Sequence, residues 1–527
     1  MSTPHLRQPG AAAGHPSVQQ ARVRNALITG LAAAAALTIS LAIAVSVPKP
    51  NIGLTLALAV GGLGVVALVT NQRLEVTVTL VVLYLGLLDG PVKLLSGGHE
   101  LASVVRDILI FAVSAGALLR LLAKRQRIEL PPLTGWVLLW VALVFVEAFN
   151  PNTGGLVKAL GGFRQQLEFI PFFFFGYALI RTKERFRRVF LILGVIALAN
   201  GVVSTYQTKL SPGGLASWGP GYKELVVGTQ TQGSVTGISG RGYVSGGVSH
   251  IRPPGLGKDA GFAGSMGLLA LPCVLALLAT WRRRKRWIPV LLCLGALLGV
   301  ATGLGRLQLV GALLVMVAFA VLSASAGRRA ARPLVALLGV LLLAVPFGGL
   351  LIAFEAPGTF SRYTELGGSA SSGKDTKSGE LAHLPHQLSI APFGVGLASA
   401  GAATGFGGRV TNRLEGHSVG GETQFNFLGD ELGIPGIALW YGLLLTLLVL
   451  AAARLRRIDD IEIRIALAGV FSVLVTFLVT GVSGPVTSSA GGSYFWFAAG
   501  VGAYWLAGPG YRASLRRAGE AVTPLRA

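Results

Sequence analysis

A succession of long apolar runs constrains this chain more than any other feature. A bilayer core about 30 Å thick is crossed by an α-helix of about 20 apolar residues, and such a helix satisfies its own backbone polar groups. About fourteen runs approach this length. They lie at about 26–47, 52–70, 74–88, 101–120, 133–149, 165–180, 189–206, 261–281, 287–303, 306–325, 334–354, 432–453, 465–483 and 493–508. The third run is short, and the ninth and tenth are nearly continuous. We therefore predict an all-α polytopic membrane protein with about 14 transmembrane helices, within a range of about 12–14.

The formal net charge of +23 could indicate nucleic-acid binding, but its distribution favours a membrane. The basic residues cluster in alternate connections, which all lie on one side if the N-terminus is cytoplasmic. These clusters are Arg120/Lys124/Arg125/Arg127, Arg181 to Arg188, Arg282 to Arg286, Arg328/Arg329/Arg332, Arg454/Arg456/Arg457 and Arg512/Arg516/Arg517. Cytoplasmic loops characteristically carry an excess of Lys and Arg. We therefore predict a multi-pass protein of the cytoplasmic membrane, with both termini cytoplasmic and no nucleic-acid partner.

The polar segments divide the predicted protein into three parts. Residues 1–25 are predicted to be a disordered cytoplasmic N-terminus, 26–508 a polytopic membrane domain, and 509–527 a cytoplasmic tail. Two long external loops, at about 207–260 and about 355–424, interrupt the membrane domain. Both loops lack the apolar periodicity of an independent core, so we expect them to lie over the membrane domain.

Three short stretches carry predictions of local structure. The alternating run Glu224–Val227 in the first loop is compatible with a strand. Residues 151–164 are predicted to contain a short surface helix that leads Arg164 to the outer mouth of the sixth span. His383 and His386 have the i,i+3 spacing of a helical pair, but Pro385 makes a helix there unfavourable. Without nearby acidic or cysteine partners they are a weak metal signal, and we predict no metal site.

Five arginines lie outside the membrane or at the outer mouths of spans. They are Arg164, Arg252, Arg306, Arg409 and Arg413. A guanidinium group is suited to bidentate binding of phosphate, and adjacent glycines let backbone N–H groups approach an anion. The alternative for each is an interfacial anchor or an ion pair, and Arg164 has Glu168 four residues away on the same helical face.

Candidate acid–base groups stand where the second loop returns to the membrane. Glu422 lies near the outer boundary, where partial burial would favour its action as a general base for a hydroxyl. His417 precedes it by five residues and is a second candidate. The alternative for Glu422 is an ion pair with a loop arginine. Glu431, followed by Gly433-Ile434-Pro435-Gly436, is interpreted as a structural entry into the twelfth span.

An ordered set of motifs gives the sequence a resemblance to a known family. The set consists of Phe163-Arg164 ahead of an aromatic-rich span, Arg252-Pro253-Pro254-Gly255, Gly303-Leu304-Gly305-Arg306, Pro392-Phe393-Gly394-Val395-Gly396-Leu397 and Glu431-Leu432-Gly433-Ile434-Pro435-Gly436. Over roughly residues 150–450 the chain resembles the O-antigen ligase/polymerase family of membrane glycosyltransferases.

The resemblance implies an inverting, metal-independent glycosyl transfer at the outer face of the membrane, without a cofactor. The donor would be a glycan on a polyprenyl diphosphate, and the acceptor a hydroxyl of a glycan or lipid. Arg164, Arg252 and Arg306 would hold the diphosphate. The ligase branch has a His-Asn pair about nine residues before the glutamate of the span entry. Glu422-Thr423 stands there instead, so a polymerase, or a ligase for another acceptor, is favoured.

A polysaccharide or lipid transporter or flippase is the alternative function. Transporters place charged residues near the bilayer midplane, often on discontinuous helices. The predicted spans look nearly free of charge, which favours an enzyme, and the depth of Arg164 and Glu168 should discriminate. A structural protein of the envelope has no positive support beyond the two loops.

Overall fold

The structure is a computed structural model that describes about two-thirds of the chain. The described residues are 62, 73–97, 100–123, 130–231, 242–245, 248–281, 283–324, 381–401, 403, 423–481, 484–487 and 490–517. The predicted N-terminal segment 1–25 and the predicted spans 26–47 and 334–354 lie outside these residues, as does the predicted span 52–70 except for Gly62.

The described part of the chain is predominantly helical. Its first half contains α1 (Leu74–Leu83), a π-helical turn (Tyr84–Leu88), α2 (Asp89–Leu95), α3 (Glu100–Ala123), α4 (Thr134–Glu147), α5 (Leu156–Leu167), α6 (Pro171–Leu179), α7 (Lys183–Thr208), α8 (Pro212–Ala216) and α9 (Pro220–Thr231). The second half contains the strands β1 (Gly242–Ser245) and β2 (Val248–Ile251), then α10 (Phe262–Thr280), α11 (Trp287–Thr302), α12 (Arg306–Ala324), α13 (381–390), α14 (Gln424–Arg454), α15 (Ile461–Thr480), α16 (Ala490–Trp505) and α17 (Pro509–Arg517). The two strands pair as one antiparallel hairpin.

Five helical segments among the described residues are long and apolar enough to cross a membrane. They are Leu74–Leu95, Lys183–Thr208, Phe262–Thr280, Gln424–Arg457 and Ile461–Thr480. Three shorter apolar helices accompany them: Thr134–Glu147, Trp287–Thr302 and Gln308–Ala324. The prediction of a helical membrane protein is thereby confirmed in its coarse form, whereas the count of about fourteen spans stays a prediction.

Three predicted spans differ from the observed helices. The third extends to Leu95, because the π-helical turn joins α1 and α2 into one rod. The sixth is interrupted, since α5 ends at Leu167 and α6, only nine residues long, begins at Pro171. The twelfth begins earlier, at Gln424, and is kinked at Gly433, which adopts φ 61°. Hydropathy alone does not detect these interruptions because the residues around each break remain apolar on average.

The centre of the bundle is α10, which packs against α7, α11, α12 and α15. It is 78% buried over its apolar window, compared with 39% for α7. Its side chains are apolar on every face, as expected for a helix surrounded by other helices. The helix therefore forms the core around which the lipid-facing helices are arranged.

Glycines allow the closest helix crossings. Gly176 of α6 and Gly500 of α16 face the backbone of the opposite helix, and a methyl group on Gly500 would collide with the carbonyl oxygen of Phe173. Small residues at such crossings let two membrane helices approach closely enough for dispersion contacts. This crossing fixes α6, and with it the interruption at residues 168–170, against α16.

The two ends of the bundle have different chemistry. At one end, here called the basic end, Arg188 pairs with Glu75 at 2.5 Å and Arg187 with Glu462 at 2.8 Å, while Arg454 donates to the carbonyl of Leu506. The opposite end, here called the polar end, collects buried amides and carboxylates from α2, α3, α5, α7 and α14. The apolar helices between the two ends indicate membrane association, while the identity of the membrane and the orientation of the termini stay predictions.

The first long loop contains regular structure. The prediction of a strand at Glu224–Val227 is wrong, because these residues lie in α9. There, Tyr222, Leu225 and Val226 form a small apolar cluster with Leu94 of α2 and Leu215 of α8. Burial raises the pKa of Tyr222 to about 12. The loop is thus docked on α2 at the polar end, as expected for a loop lying over the membrane domain.

The second long loop is described only in part, at residues 381–401, 403 and 423–424. The prediction that Pro385 disfavours a helix at His383 and His386 is wrong, because 381–390 are helical. Leu384 and Leu388 approach Gly429 of α14, and this apolar contact offsets the cost of proline in the helix. His383 and His386 lie on the exposed face.

Candidate functional site

A network of six ionic side chains, four of them buried and two half-buried, lies at the polar end. Asp89 and Lys93, one helical turn apart on α2, are 2.8 Å apart. Arg106 of α3 contacts Glu168 through two nitrogen–oxygen pairs, at 2.5 and 2.6 Å, and approaches Asp89 at 3.9 Å. The network therefore connects α2 and α3 to the interruption between α5 and α6.

The network continues from α3 to the predicted site residue Arg164. Arg106 is 3.5 Å from Asp107, and Asp107 forms an ion pair with Arg164 of α5. The expected alternative partner of Arg164, Glu168, is bound to Arg106 instead. Adjacent positions on a helix point about 100° apart, so Arg106 and Asp107 reach different neighbours.

The network is balanced in charge, with three cations and three carboxylates. The cations are Lys93, Arg106 and Arg164, and the carboxylates are Asp89, Asp107 and Glu168. The side chains of Lys93 and Glu168 are only 3% exposed. Removing ions from water costs several kcal/mol for each ion, and close pairing is required to offset that cost. Charged groups inside a membrane bundle therefore identify this region as a candidate functional site.

The depth of the network follows from the helix rise. Arg106 and Arg120 on α3 are fourteen residues apart, and so are Glu75 and Asp89 on the rod that contains α1 and α2. At 1.5 Å per residue, both spacings correspond to about 21 Å. The network therefore lies about 21 Å along these helices from Arg120 and Glu75, towards the polar end.

The segment that carries Arg252 lies beside this network. Gln207 of α7 accepts from the N–H of Gly255 at 2.8 Å and donates to its carbonyl at 3.0 Å. Asn200 accepts from the N–H of Leu256 at 3.0 Å and donates to the carbonyl of Gly86, in the π-helical turn, at 2.9 Å. Two buried amides thus hold the Arg-Pro-Pro-Gly turn against the helix that carries Asp89 and Lys93.

The turn that carries Arg306 is tied to the same region. The side chain of Gln308 donates to the carbonyl of Gly261 at 2.6 Å and to Ser265 at 3.2 Å. Gly261 immediately precedes α10, so the start of α12 and the start of α10 are held together. The backbone therefore places Arg252 and Arg306 on neighbouring turns of the polar end. The side chain of Arg306 lies outside the described part of the structure.

A second cluster surrounds Glu431, which is fully buried at the start of α14. Its carboxylate accepts from Gln165 at 2.8 Å, from Gln166 at 2.6 Å and from the N–H of Ala400 at 3.4 Å. Burial lowers the pKa of Lys158, and the nearby carboxylate of Glu431 opposes this effect. The cluster joins α5, α14 and the part of the second loop around Ala400, in agreement with the interpretation of Glu431 as a structural entry.

Four predicted site residues are not located by the structure. Glu422, His417, Arg409 and Arg413 all lie outside the described residues. The chain is described again from Thr423, whose hydroxyl accepts from the N–H of Asn426 and caps α14. Gln424 then fixes the start of this helix by bonding to Thr487. The segment that follows Glu422 is therefore anchored at the polar end.

The sequence reasoning missed the members of the charge network other than Arg164 and Glu168. Arg106 and Asp107 belong to the predicted apolar run 101–120, where averaging over the span hid them, whereas Asp89 and Lys93 follow shortly after the third predicted run. The statement that the spans are nearly free of charge is therefore wrong. The detectable signal was the presence of charged residues within an apolar run, which is itself a functional indication. The pairing of Arg106 with Glu168, 62 residues away, carried no local signal.

Among the described residues, no group of three or more His, Cys, Asp or Glu side chains is arranged to hold a metal ion. No protein-family model matches the chain, and neither does any curated protein or solved structure. The geometry of the polar end and the sequence resemblance are therefore the observations that bear on function.

Proposed function

We propose that this protein is a membrane glycosyltransferase that uses a polyprenyl-diphosphate-linked glycan as its donor. The observation that carries the proposal is the convergence at one end of the bundle. The Arg252 turn, the Arg306 turn, Arg164 and the return of the long loop all lie at the polar end, opposite the basic end. A lipid-linked donor presents its diphosphate at such a membrane boundary, where arginines can bind it.

The proposed reaction is a single displacement at the anomeric carbon of the donor. The hydroxyl oxygen of a glycan or lipid acceptor forms the new bond, the bond from carbon to the diphosphate oxygen breaks, and the configuration inverts. The hydroxyl proton passes to a base, for which Glu422 and His417 are the candidates. The electron pair leaves with the polyprenyl diphosphate, whose developing charge Arg252 and Arg306 stabilise. Arg164 is positioned by Asp107 at the edge of this site.

The test compares lipid-linked and surface glycans in a deletion strain that expresses single variants. We expect Arg252→Ala and Arg306→Ala to lower glycan transfer by about a hundredfold, the typical effect of removing one charge-stabilising donor, and to accumulate the lipid-linked donor. Arg456→Ala is the matched control, since Arg456 is exposed at the basic end. Normal product length and yield in both test variants, with normal insertion, would refute the proposal.

The proposed base has a separate test. Glu422→Gln is expected to abolish transfer while retaining binding of the lipid-linked donor, because the amide cannot accept the hydroxyl proton. The measurement is donor co-purification together with mass spectrometry of the products. An active Glu422→Gln enzyme would eliminate this residue as the base.

One observation favours a second candidate function, a transporter or flippase. The charge network lies on discontinuous helices, at the π-helical turn before α2 and at the break before α6, which is the arrangement expected around a transport site. The network lies towards the polar end of the bundle, whereas a transporter is expected to hold its charged groups near the bilayer midplane. The discriminating measurement is reconstitution with a lipid-linked glycan. A transporter moves the intact lipid-linked glycan between leaflets, whereas a transferase cleaves the bond between the glycan and the diphosphate and releases the polyprenyl diphosphate.

A further inference from the structure

We infer that Glu431 is a positioning residue that fastens part of the second external loop to α5 and thereby sets the place of Arg164. The part of this inference that concerns transfer rests on the proposed function, whereas the fastening itself does not. The fastened part of the loop, here called the docking segment, comprises residues 391–401 together with Ala403.

The contacts of Glu431 join three separate parts of the chain. The carboxylate belongs to α14, two of its donors are adjacent glutamines of α5, and its third donor is the backbone of Ala400 in the docking segment. Gln165 also bonds directly to the docking segment, donating to the carbonyl of Ala400 at 3.0 Å and accepting from the N–H of Ala403 at 2.8 Å. One buried carboxylate is therefore shared by all three elements.

The backbone on either side of Glu431 strengthens the attachment. The N–H of Val395 donates to the carbonyl of Asp430 at 2.6 Å, and the N–H of Ile434 donates to the carbonyl of Pro392 at 2.8 Å. Gly433, which lies between Asp430 and Ile434 in the chain, has φ 61°, and a side chain at Gly433 would collide with the docking segment. The docking segment therefore packs directly against the kink in α14.

The attachment is connected to the charge network through α5. Arg164 directly precedes Gln165, and its side chain pairs with Asp107 of α3. In the docking segment, the side chain of Leu397 is 1% exposed and lies against Gly162 of α5. Releasing the docking segment from α5 would therefore free the helix that carries Arg164 and uncover Leu397.

The chemistry of the glutamine contacts provides a rescue variant. Both glutamines donate to the carboxylate, so a lone Glu431→Gln change places an amide N–H₂ against another N–H₂ and loses one of the two bonds. The buried Oε1 of Gln166 has no hydrogen-bond partner among the described residues. In the exchanged pair Gln166→Glu/Glu431→Gln, the new amide donates to residue 166 and still accepts from Gln165. The exchange therefore restores both contacts without restoring the original residue.

The experiment measures whether the docking segment separates from α5. Leu397→Cys is introduced as a reporter, and the purified full-length protein in lipid nanodiscs is treated with a membrane-impermeant maleimide. The native Cys273 and Cys293 are buried, and the protein without the reporter measures their background. Glu431→Ala and Glu431→Gln are expected to raise the labelling rate by about tenfold or more, since each leaves buried donors without an acceptor. The exchanged pair is expected to return the rate towards that of the reporter protein alone.

The outcomes separate this inference from the proposed function. Increased labelling in Glu431→Ala, with recovery in the exchanged pair, supports the positioning role. An unchanged labelling rate in Glu431→Ala overturns it, as does equal labelling of Glu431→Gln and the exchanged pair. Glycan output of the same variants in cells is measured separately. If labelling follows the inference while output never changes, the fastening is upheld and its role in transfer is refuted, whereas the transferase function itself is decided by the Arg252 and Arg306 variants.

Discussion

Removal of one cation from the balanced network is the most direct test of its energetics. In Arg106→Met the long apolar stem is retained while the guanidinium is lost, so Glu168 loses its contacts at 2.5 and 2.6 Å. The network then holds two cations against three carboxylates. Breaking a buried pair by removing one partner costs about 3–5 kcal/mol, because the other charge remains buried.

The magnitude is tested through a double-mutant cycle. Glu168→Gln alone leaves three cations against two carboxylates, whereas Arg106→Met/Glu168→Gln restores balance at two and two. We therefore expect the double variant to be less destabilised than the sum of the single variants by about 2 kcal/mol or more. The free energy of unfolding is measured by titrating SDS into mixed micelles and following tryptophan fluorescence.

The matched control is the same type of substitution in an exposed pair. Arg188 contacts Glu75 at 2.5 Å, but its side chain is 66% exposed, so Arg188→Met should cost at most about 1 kcal/mol. The reasoning is refuted if Arg106→Met costs no more than Arg188→Met, or if the effects of Arg106→Met and Glu168→Gln simply add. Either result would show that water compensates the unpaired charge.

Three further predictions address other parts of the fold. Gly500→Val should destabilise the protein by several kcal/mol in the same SDS titration, because a side chain at this position collides with α6. Gly484→Val is the control, since nothing lies within 4 Å of a Cβ added at Gly484. Asn200→Ala should cost about 1–3 kcal/mol by leaving buried backbone groups without partners, and wild-type stability in that titration would contradict the proposed tie between α7 and the Arg-Pro-Pro-Gly turn. Burial raises the pKa of Tyr222 from 10.0 to about 12, so the contribution of the neutral phenol to stability is complete below pH 10 and is lost as the pH rises through about 12. Tyr222→Phe should therefore lose less stability than the wild type between pH 10 and pH 12. Identical alkaline unfolding curves for the two proteins would disprove the assignment.

Much of the helical framework could be predicted from the sequence. The limits of α10 and α11 fall within about one residue of the predicted runs, because an uninterrupted apolar run has few alternatives to a helix in a membrane. The short helix ahead of the sixth span was also anticipated, and it is observed as α5. The strand predicted at Glu224–Val227 failed because a short apolar run does not distinguish a strand from a helix.

The candidate site could be predicted only in part. The turns of Arg252 and Arg306 were identified from glycine and proline patterns, which are local. The network of Lys93, Arg106 and Glu168 depends on contacts between distant helices, and no local pattern predicts which charge meets which. The attachment of Gln165 to Ala400, separated by 235 residues, is equally non-local. These contacts required the three-dimensional arrangement.

The burial of α10 has a consequence for the biogenesis of the protein. This helix is enclosed by α7, α11, α12 and α15, yet only α7 precedes it in synthesis. While α15 is still being made, the face of α10 that it will cover must be exposed to lipid. The helix therefore has to be soluble in the bilayer before it becomes an interior element. Its apolar character on every face meets both requirements, and a polar residue suited to the finished core would hinder its insertion.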